Sequence, residues 1–542
     1  MPRKKERLTP RGQAFAWWEA RISERHYVGP KSELPGGRAL GVLRDEELIA
    51  ETPGGWAWVV LGRDAPDGDR ALRHNYWSLV QVLLAEYAPA EVCRVSAVRL
   101  LAGDMTLPEV LQVRHGANRS RHRTEVASGA EVALEPDDLL AEGVVEPGTV
   151  QAGSVTLPVT SPERTLVQLT AGDISHNRDL VLSWLRSLVV ARLALDAAYA
   201  ASPRHVLLAR VGHLAEDVGN RRLAEQIKSV LTAYQRHHVS RSDTGVGSEL
   251  VVPAYITSSA STRDPGQDRL QARLTRGAEV VRDVMSAAAA ELSSWSLSKV
   301  LGVARASKVE DTYHSTTIEG YRITRDEVRA VIEGRPYDGR SPGEIERMMA
   351  LKGYSRAFDR TLELIEEALN GAGPELSESL IFDLYLELWG PSIDEGIVST
   401  ADMRSWRTSP VFIRGSRYVP PGPEKVASYM TQLVTQMNGL DVDPLTRCVL
   451  THWGFVHIHP FMDGSGRLAR LLMNYVLAGS GLPWTTIRAE QRAVYFAALD
   501  RVHTDDEFIP FAEFIRGAIE HAVGTHSGGR DPERWTTSSG RT

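Results

Sequence analysis

His459-Pro-Phe-Met-Asp-Gly-Ser-Gly-Arg-Leu-Ala-Arg470, running on into Leu471-Leu-Met-Asn-Tyr-Val-Leu477, decides how this chain is read. Asp463-Gly-Ser-Gly466 is a tight turn, and the residues after it carry a strong helical pattern. A glycine turn opening a helix aims backbone N–H groups and the positive end of the dipole at one spot, which suits phosphate. Gly464, Ser465 and Gly466 form the cradle, and the two glycines allow close backbone approach. Arg467 and Arg470, three apart, share a face of the first turns. Cations there oppose the dipole, so two of them point to an anion that outweighs the cost, such as a di- or triphosphate. Asp463 stands where a hard cation bridging phosphates wants a carboxylate. His459 supplies an imidazole suited to deprotonating a hydroxyl near neutral pH.

Rival readings of the same stretch fare worse. Gly464-x-Gly466-x-x-Ala469 fits the dinucleotide fingerprint in letters, but a helical pattern precedes it where that fingerprint needs a strand. His457-x-His459 with Asp463 has no matching further ligands for a transition metal. A helix cap with incidental charges does not explain four functional residue types in twelve positions. No Walker A run is present.

Around this segment lie 542 residues, enough for two to four domains. The net charge of -7 argues against bulk polyanion binding, though not against a local basic patch. Cys93 and Cys448 make neither a disulfide framework nor a zinc site and fit a reducing cytoplasm. The basic start Met1-Pro-Arg-Lys-Lys-Glu-Arg-Leu has no apolar run behind it. No stretch of about 20 apolar residues is free of charge, so no membrane span is expected.

Element patterns divide the chain. Residues 1–65 suggest a winged-helix-like unit, or another small α+β module, with helices at 12–23 and 44–51 before Pro53-Gly-Gly-Trp-Ala-Trp-Val-Val-Leu61. Residues 66–238 read as an α/β plus helical regulatory domain, with a helix at 76–87 and strands at 110–113 and 155–159. The basic run His115–Arg123 reads as a solvated loop. Residues 239–270 are a linker, 271–375 a helical region, 376–522 a core around the motif, and 523–542 a disordered tail. Strand-turn-strand character appears between 404 and 422.

The motif His459-x-Phe461-x-Asp463-Gly464-Ser465-Gly466-Arg467-x-x-Arg470 resembles that of the Fic, or Fido, family, His-x-Phe-x-Asp/Glu-Gly-Asn-Gly-Arg-x-x-Arg. Ser465 departs from the usual Asn. The flanks Val411-Phe412-Ile413 with Tyr418-Val-Pro-Pro421, Gly481-Leu-Pro-Trp484 and Tyr495-Phe-Ala-Ala-Leu499 are similar too, so the resemblance spans roughly 290–520. It implies a mainly α Fic-type helical domain with a β-hairpin flap, preceded by the α+β N-terminal region. It also implies transfer of AMP from ATP to a Ser, Thr or Tyr hydroxyl of a target protein, which could be the chain itself. His459 would be the base, Asp463 would hold Mg²⁺, Gly464 to Gly466 with Arg467 would seat the phosphates, and Arg470 would reach the γ-phosphate. Val411, Phe412 and Ile413 would clamp the target by strand pairing. A serine hydroxyl donates one hydrogen bond where an Asn amide donates two, which predicts impaired phosphate seating.

Ser315-Thr-Thr-Ile-Glu319-Gly320 is similar to the family's inhibitory motif, with Ser315 and Glu319 on one helix face. The resemblance implies that Glu319 pairs with Arg470 and forbids the productive ATP pose. Further upstream, Val95-Ser-Ala-Val-Arg-Leu-Leu101 and Ser161-Pro-Glu-Arg-Thr-Leu166 resemble AbiEi-type antitoxin regulators. That implies DNA contact through Arg3, Lys4, Lys5, Arg7 and Arg11, while a protein-interaction module stays open. Two functions are therefore expected: an autoinhibited protein adenylyltransferase, or a DNA-binding, antitoxin-like regulator whose Fic unit is a weakened nucleotide sensor.

Overall fold

Fifteen residues, Ser465–Gly479, form a helix buried on almost every side. An apolar surface all round a helix demands a complete sheath of neighbours. A computed structural model describes residues 9–61, 68–143, 145–152, 155–233, 265–291, 294–335, 341–371, 373–413 and 416–526. The chain splits into two compact units, 273–411 with 420–542, and 1–272 with 412–419.

The sheath around the motif helix is made by helices Leu297–Ile318, Pro342–Asn370, Glu378–Asp394 and Pro444–Ile458. Helices Arg325–Ile332, Pro423–Gly439, Arg492–Asp505 and Ile509–His526, with the part of Pro265–Glu291 from Arg273 on, also belong to this unit. Local sequence sets their starts. Ser341 and Glu344 form a reciprocal capping box ahead of Pro342, as do Thr324 and Glu327. Asp443 caps Pro444–Ile458 by accepting from Thr446 N–H at 3.0 Å. The segment after the motif helix is tied back by Asn474, whose Nδ2 donates to Thr485 O at 2.9 Å while its Oδ1 accepts from Thr485 N–H at 2.7 Å.

The other unit has three parts. Helices Pro10–Ser23 and Arg38–Asp45 cover a three-stranded antiparallel sheet of β1 (Val28–Pro30), β2 (Ile49–Glu51) and β3 (Ala57–Val60), ordered β1-β3-β2. Trp18, Leu43, Ile49 and Trp58 are buried between them. A six-stranded mixed sheet follows, from β4 (Ala90–Val92), β5 (Val110–His115), β6 (His122–Ala127), β7 (Ala130–Pro136), β8 (Gly148–Ala152) and β9 (Val155–Val159). Its order is β6-β7-β5-β4-β9-β8, with β5–β7 and β4–β9 parallel. Helices from Pro162 to Ala233 then build a cluster on Leu182, Leu185, Leu208 and Val211.

Several expectations need correction. The pattern at 44–51 is not one helix. The helix ends at Asp45, Glu47 turns at φ 51°, and Ile49 to Glu51 pair with β3. Pairing of Ile49 with Val60 and Ala50 with Val59 buries both residues, which overrides local helix propensity. Between 404 and 422 the described residues form no strand ladder. Ser416 N–H donates to Ile413 O at 3.2 Å, and Pro410, Pro420 and Pro421 remove donors a hairpin needs. Helix Ile509–His526 runs past the expected boundary at 522, and 527–542 lie outside the described residues. Most of the expected linker, 239–264, also lies outside them, and from Pro265 the chain is helical.

The basic run His115–Arg123 is not a free cationic loop. Arg121 pairs with Glu135 at 3.0 Å, Arg123 with Glu131 at 3.2 Å, and Arg119 lies over the Tyr87 ring. Arg3, Lys4, Lys5 and Arg7 lie outside the described residues, and Arg11 pairs with Glu46 at 2.9 Å. Among the described residues no helix is long and apolar enough to cross a membrane.

Candidate active site

His459 terminates helix Pro444–Ile458 in a left-handed conformation, φ 50° and ψ 64°, with its N–H donating to Phe455 O at 2.9 Å. Such a backbone is uncommon for a residue with a side chain and marks a position held by its surroundings. Burial, helped by the charge of Arg407 and opposed by Glu319 and Asp463, lowers its pKa to about 4. The imidazole is therefore neutral at ordinary pH and free to take a proton.

The turn after it is closed from within. Phe461 is buried, its ring stacked on Tyr385 with centroids 3.6 Å apart. Ser465 Oγ accepts from Phe461 N–H and donates to Phe461 O, both at 3.3 Å. The side chain expected to seat phosphate is thus committed to the loop and buried, leaving the Ser465 backbone amide for the nest. The departure from Asn falls on loop closure. Gly464 adopts φ 86°, and a Cβ there would come within 2.9 Å of Leu388 Cδ2, so glycine is required. The N–H groups of Ser465, Gly466 and Arg467 open the helix with no carbonyl one turn back to receive them.

Charges converge on this N-terminus. Asp463 is more than half exposed and accepts from Gly464 N–H at 2.6 Å and from Arg467 Nη2 at 3.1 Å. Arg467 is buried between the rings of Tyr321 and Trp389, at 5.6 and 5.9 Å from their centroids. Arg470 Nε donates to Ser315 Oγ at 2.7 Å, and its Nη2 donates to Ser315 O at 2.8 Å and to Glu319 Oε1 at 2.7 Å. Glu319 lies so close to the helix start that a Cβ on Gly466 would overlap its Oε1. A carboxylate thus stands beside the helix start, bonded to Arg470. Gly320 follows at φ 102° and turns the chain out of helix Leu297–Ile318. An open cleft of about 510 Å³ adjoins this point, lined by Glu319, Tyr321, Arg322, Arg347 and Asp463.

Ser315, Glu319, His459, Asp463, Gly464 to Arg467 and Arg470 are thereby brought to one place. Phe412 and Ile413 group with the other compact unit, where the Phe412 ring stacks on His74 with centroids 4.9 Å apart, and Val411 is nearly buried. Sequence reading missed Tyr321, Trp389 and Arg407. Tyr321 was signalled only by following Glu319-Gly320, and the other two carried no signal.

Residues 375–477 match the model of the Fic/DOC family. The chain carries a Fic/DOC domain. The protein adenylyltransferase Fic of Drosophila melanogaster is 27% identical over 394 residues, covering 71% of this chain and 70% of that protein. The protein adenylyltransferase fic-1 of Caenorhabditis elegans is 28% identical over 222 residues, 40% of each chain. Among solved structures, C. elegans Fic-1 (residues 134–508) aligns with 62% of this chain and 90% of its own at 22% identity, with a TM-score of 0.36. The Fic/DOC match contains His459 to Arg470 entire, while Ser315 and Glu319 lie upstream of it.

Proposed function

We propose that this protein is an autoinhibited protein adenylyltransferase that moves AMP from ATP to a hydroxyl of a target protein, which includes the option of its own chain. Its enzyme class is nucleotidyltransferase. The observation that carries the reading is the Glu319 carboxylate on Arg470 and against Gly466, an internal anion seated on a site made for an external one. With Glu319 displaced, Arg470 and the amides of Ser465 to Arg467 receive the phosphates. His459, neutral and at the edge of the same turn, accepts the proton of the incoming hydroxyl. The hydroxyl oxygen bonds to the α-phosphorus as the bond to the bridging oxygen breaks, releasing pyrophosphate. Positioning and charge neutralisation by fixed donors lower the barrier.

Asp463 fits Mg²⁺, because that ion is commonly held by one or two carboxylates together with substrate phosphates. When bound it neutralises phosphate charge. We further propose that Val411, Phe412 and Ile413 meet the target. The N-terminal unit is read as a protein-interaction module, since its described Arg11, Arg21 and Arg44 are each paired with a carboxylate, Glu46, Glu24 and Glu51. Salt-sensitive DNA binding by the full chain would reverse that last reading. The test of the activity is intact-mass analysis after incubation of the Glu319→Gly protein with Mg²⁺ and each nucleoside triphosphate in turn. An added adenylyl mass with ATP supports it, and an unchanged mass with every nucleotide rejects it.

A further inference from the structure

Arg407 lies 52 residues before His459 and is 4% exposed. Its Nε donates to His459 O at 2.8 Å, its Nη2 to Ile458 O at 3.4 Å, and its backbone N–H to Pro460 O at 2.9 Å. Three consecutive carbonyls of the catalytic bend thus converge on one residue. The same guanidinium reaches the segment that carries the proposed target contact. Nη1 donates to Ser409 O at 3.1 Å, and Nη2 donates to Pro421 O. A planar fork with five donors suits this fan of acceptors, and a lysine ammonium does not.

The bend needs such a clamp. His459 ends a helix, where carbonyls have no intrahelical partner, and it does so in the left-handed region. The ring hydrogen-bonds to the backbone at Val456 in the last turn of the helix, while Glu319 and Asp463 act on it as charges. The aim of the imidazole therefore depends on the backbone beneath it, and that backbone is held by Arg407.

We infer that Arg407 is the positioning residue for the base in AMP transfer, fixing the backbone at His459 while tying it to Ser409 and Pro421 at the two ends of the target-contact segment. This rests on the adenylyl-transfer reading of the site. The bonds of Arg407 named above end on the bend and on Ser409 and Pro421, whereas the phosphates are proposed to seat on Ser465 to Arg470, so the inference separates two steps. Loss of the clamp spoils proton removal and leaves nucleotide seating in place.

The test uses the full chain with the brake removed, Glu319→Gly, as parent, and adds Arg407→Lys or Arg407→Met. Arg407→Lys keeps the charge and stem and is the variant expected to fold. Misplacement of a reacting group by about 1 Å costs roughly a hundredfold, so kcat for AMP transfer is expected to fall about that far with the KM for ATP within about twofold. Lysine does not rescue. Histidine ring NMR on the same proteins reads the bend without turnover. Around His459 stand the carboxylates of Glu319 and Asp463, the guanidinium of Arg407 and the ring of His503. Arg407→Met shifts the His459 resonance and raises its titration midpoint, because a cation that disfavours imidazolium is gone. An Arg407→Lys protein with the parent kcat, a parallel loss of ATP affinity, or an unmoved His459 resonance would overturn the positioning role. A parent that never takes up AMP while the resonance still moves would instead sink the activity reading alone.

Discussion

The carboxylate of Glu319 lies 2.7 Å from Arg470 Nη2, and Ser315 bonds the same guanidinium through both its hydroxyl and its carbonyl. Burial works against charge on Arg470, and the hydrogen-bonded Glu319 carboxylate opposes it, so the guanidinium stays charged. A buried cation satisfied in this way does not readily exchange its partner for a phosphate. This contact is the basis of the autoinhibition proposed above.

Replacement of Glu319 by Gly removes a charge-assisted hydrogen bond whose net contribution is about 2 kcal/mol, so AMP incorporation from labelled ATP should rise about thirtyfold. Incorporation equal to wild type would remove the brake from the account.

Ser315→Ala deletes the hydroxyl under Arg470 Nε and leaves Glu319 in place. One ordinary hydrogen bond contributes about 1 kcal/mol, which corresponds to a partial release of about fivefold. The labelling assay should rank wild type below Ser315→Ala and Ser315→Ala below Glu319→Gly. A Ser315→Ala protein as active as Glu319→Gly would mean that the serine, and not the carboxylate, sets inhibition.

Ser465→Ala strands the N–H and C=O of Phe461 in a buried turn. Unsatisfied buried polar groups cost about 1 to 3 kcal/mol, so thermal unfolding should move to lower temperature. If serine served chiefly to seat phosphate, the melting temperature would stay put and only ATP affinity would drop.

The pH response follows from His459. Its folded pKa of about 4 lies below the ordinary histidine value, so the ring stays neutral until acidification approaches that figure. Its NMR signal should therefore hold the neutral position from about pH 8 down to about pH 5.5. In Glu319→Gly the nearby carboxylate that favours imidazolium is lost, which moves the midpoint lower still. A titration centred near the unperturbed value in either protein would show that the ring is solvated and not held as described.

The catalytic turn was legible because its functional groups are contiguous. The spacing from His459 to Arg470 on a glycine turn dictates the geometry, and the four-residue step from Ser315 to Glu319 dictates a shared helix face. Arg407 was illegible because its partners are backbone carbonyls, which every residue owns and no spacing announces. The bonds of Ser465 were illegible for a related reason. Donor counting suggested a weaker phosphate ligand, whereas burial turns the hydroxyl inward to Phe461. At Ile49 to Glu51 helix-like letters lost to pairing with β3, a partner that local pattern does not contain.

The most direct measurement compares Glu319→Gly with Glu319→Gly combined with His459→Ala, each incubated with ATP and Mg²⁺ and weighed intact. Adenylyl mass on the first and none on the second is the predicted result. No gain on the first, or an equal gain on both, would contradict an arginine-seated triphosphate attacked with the help of this imidazole.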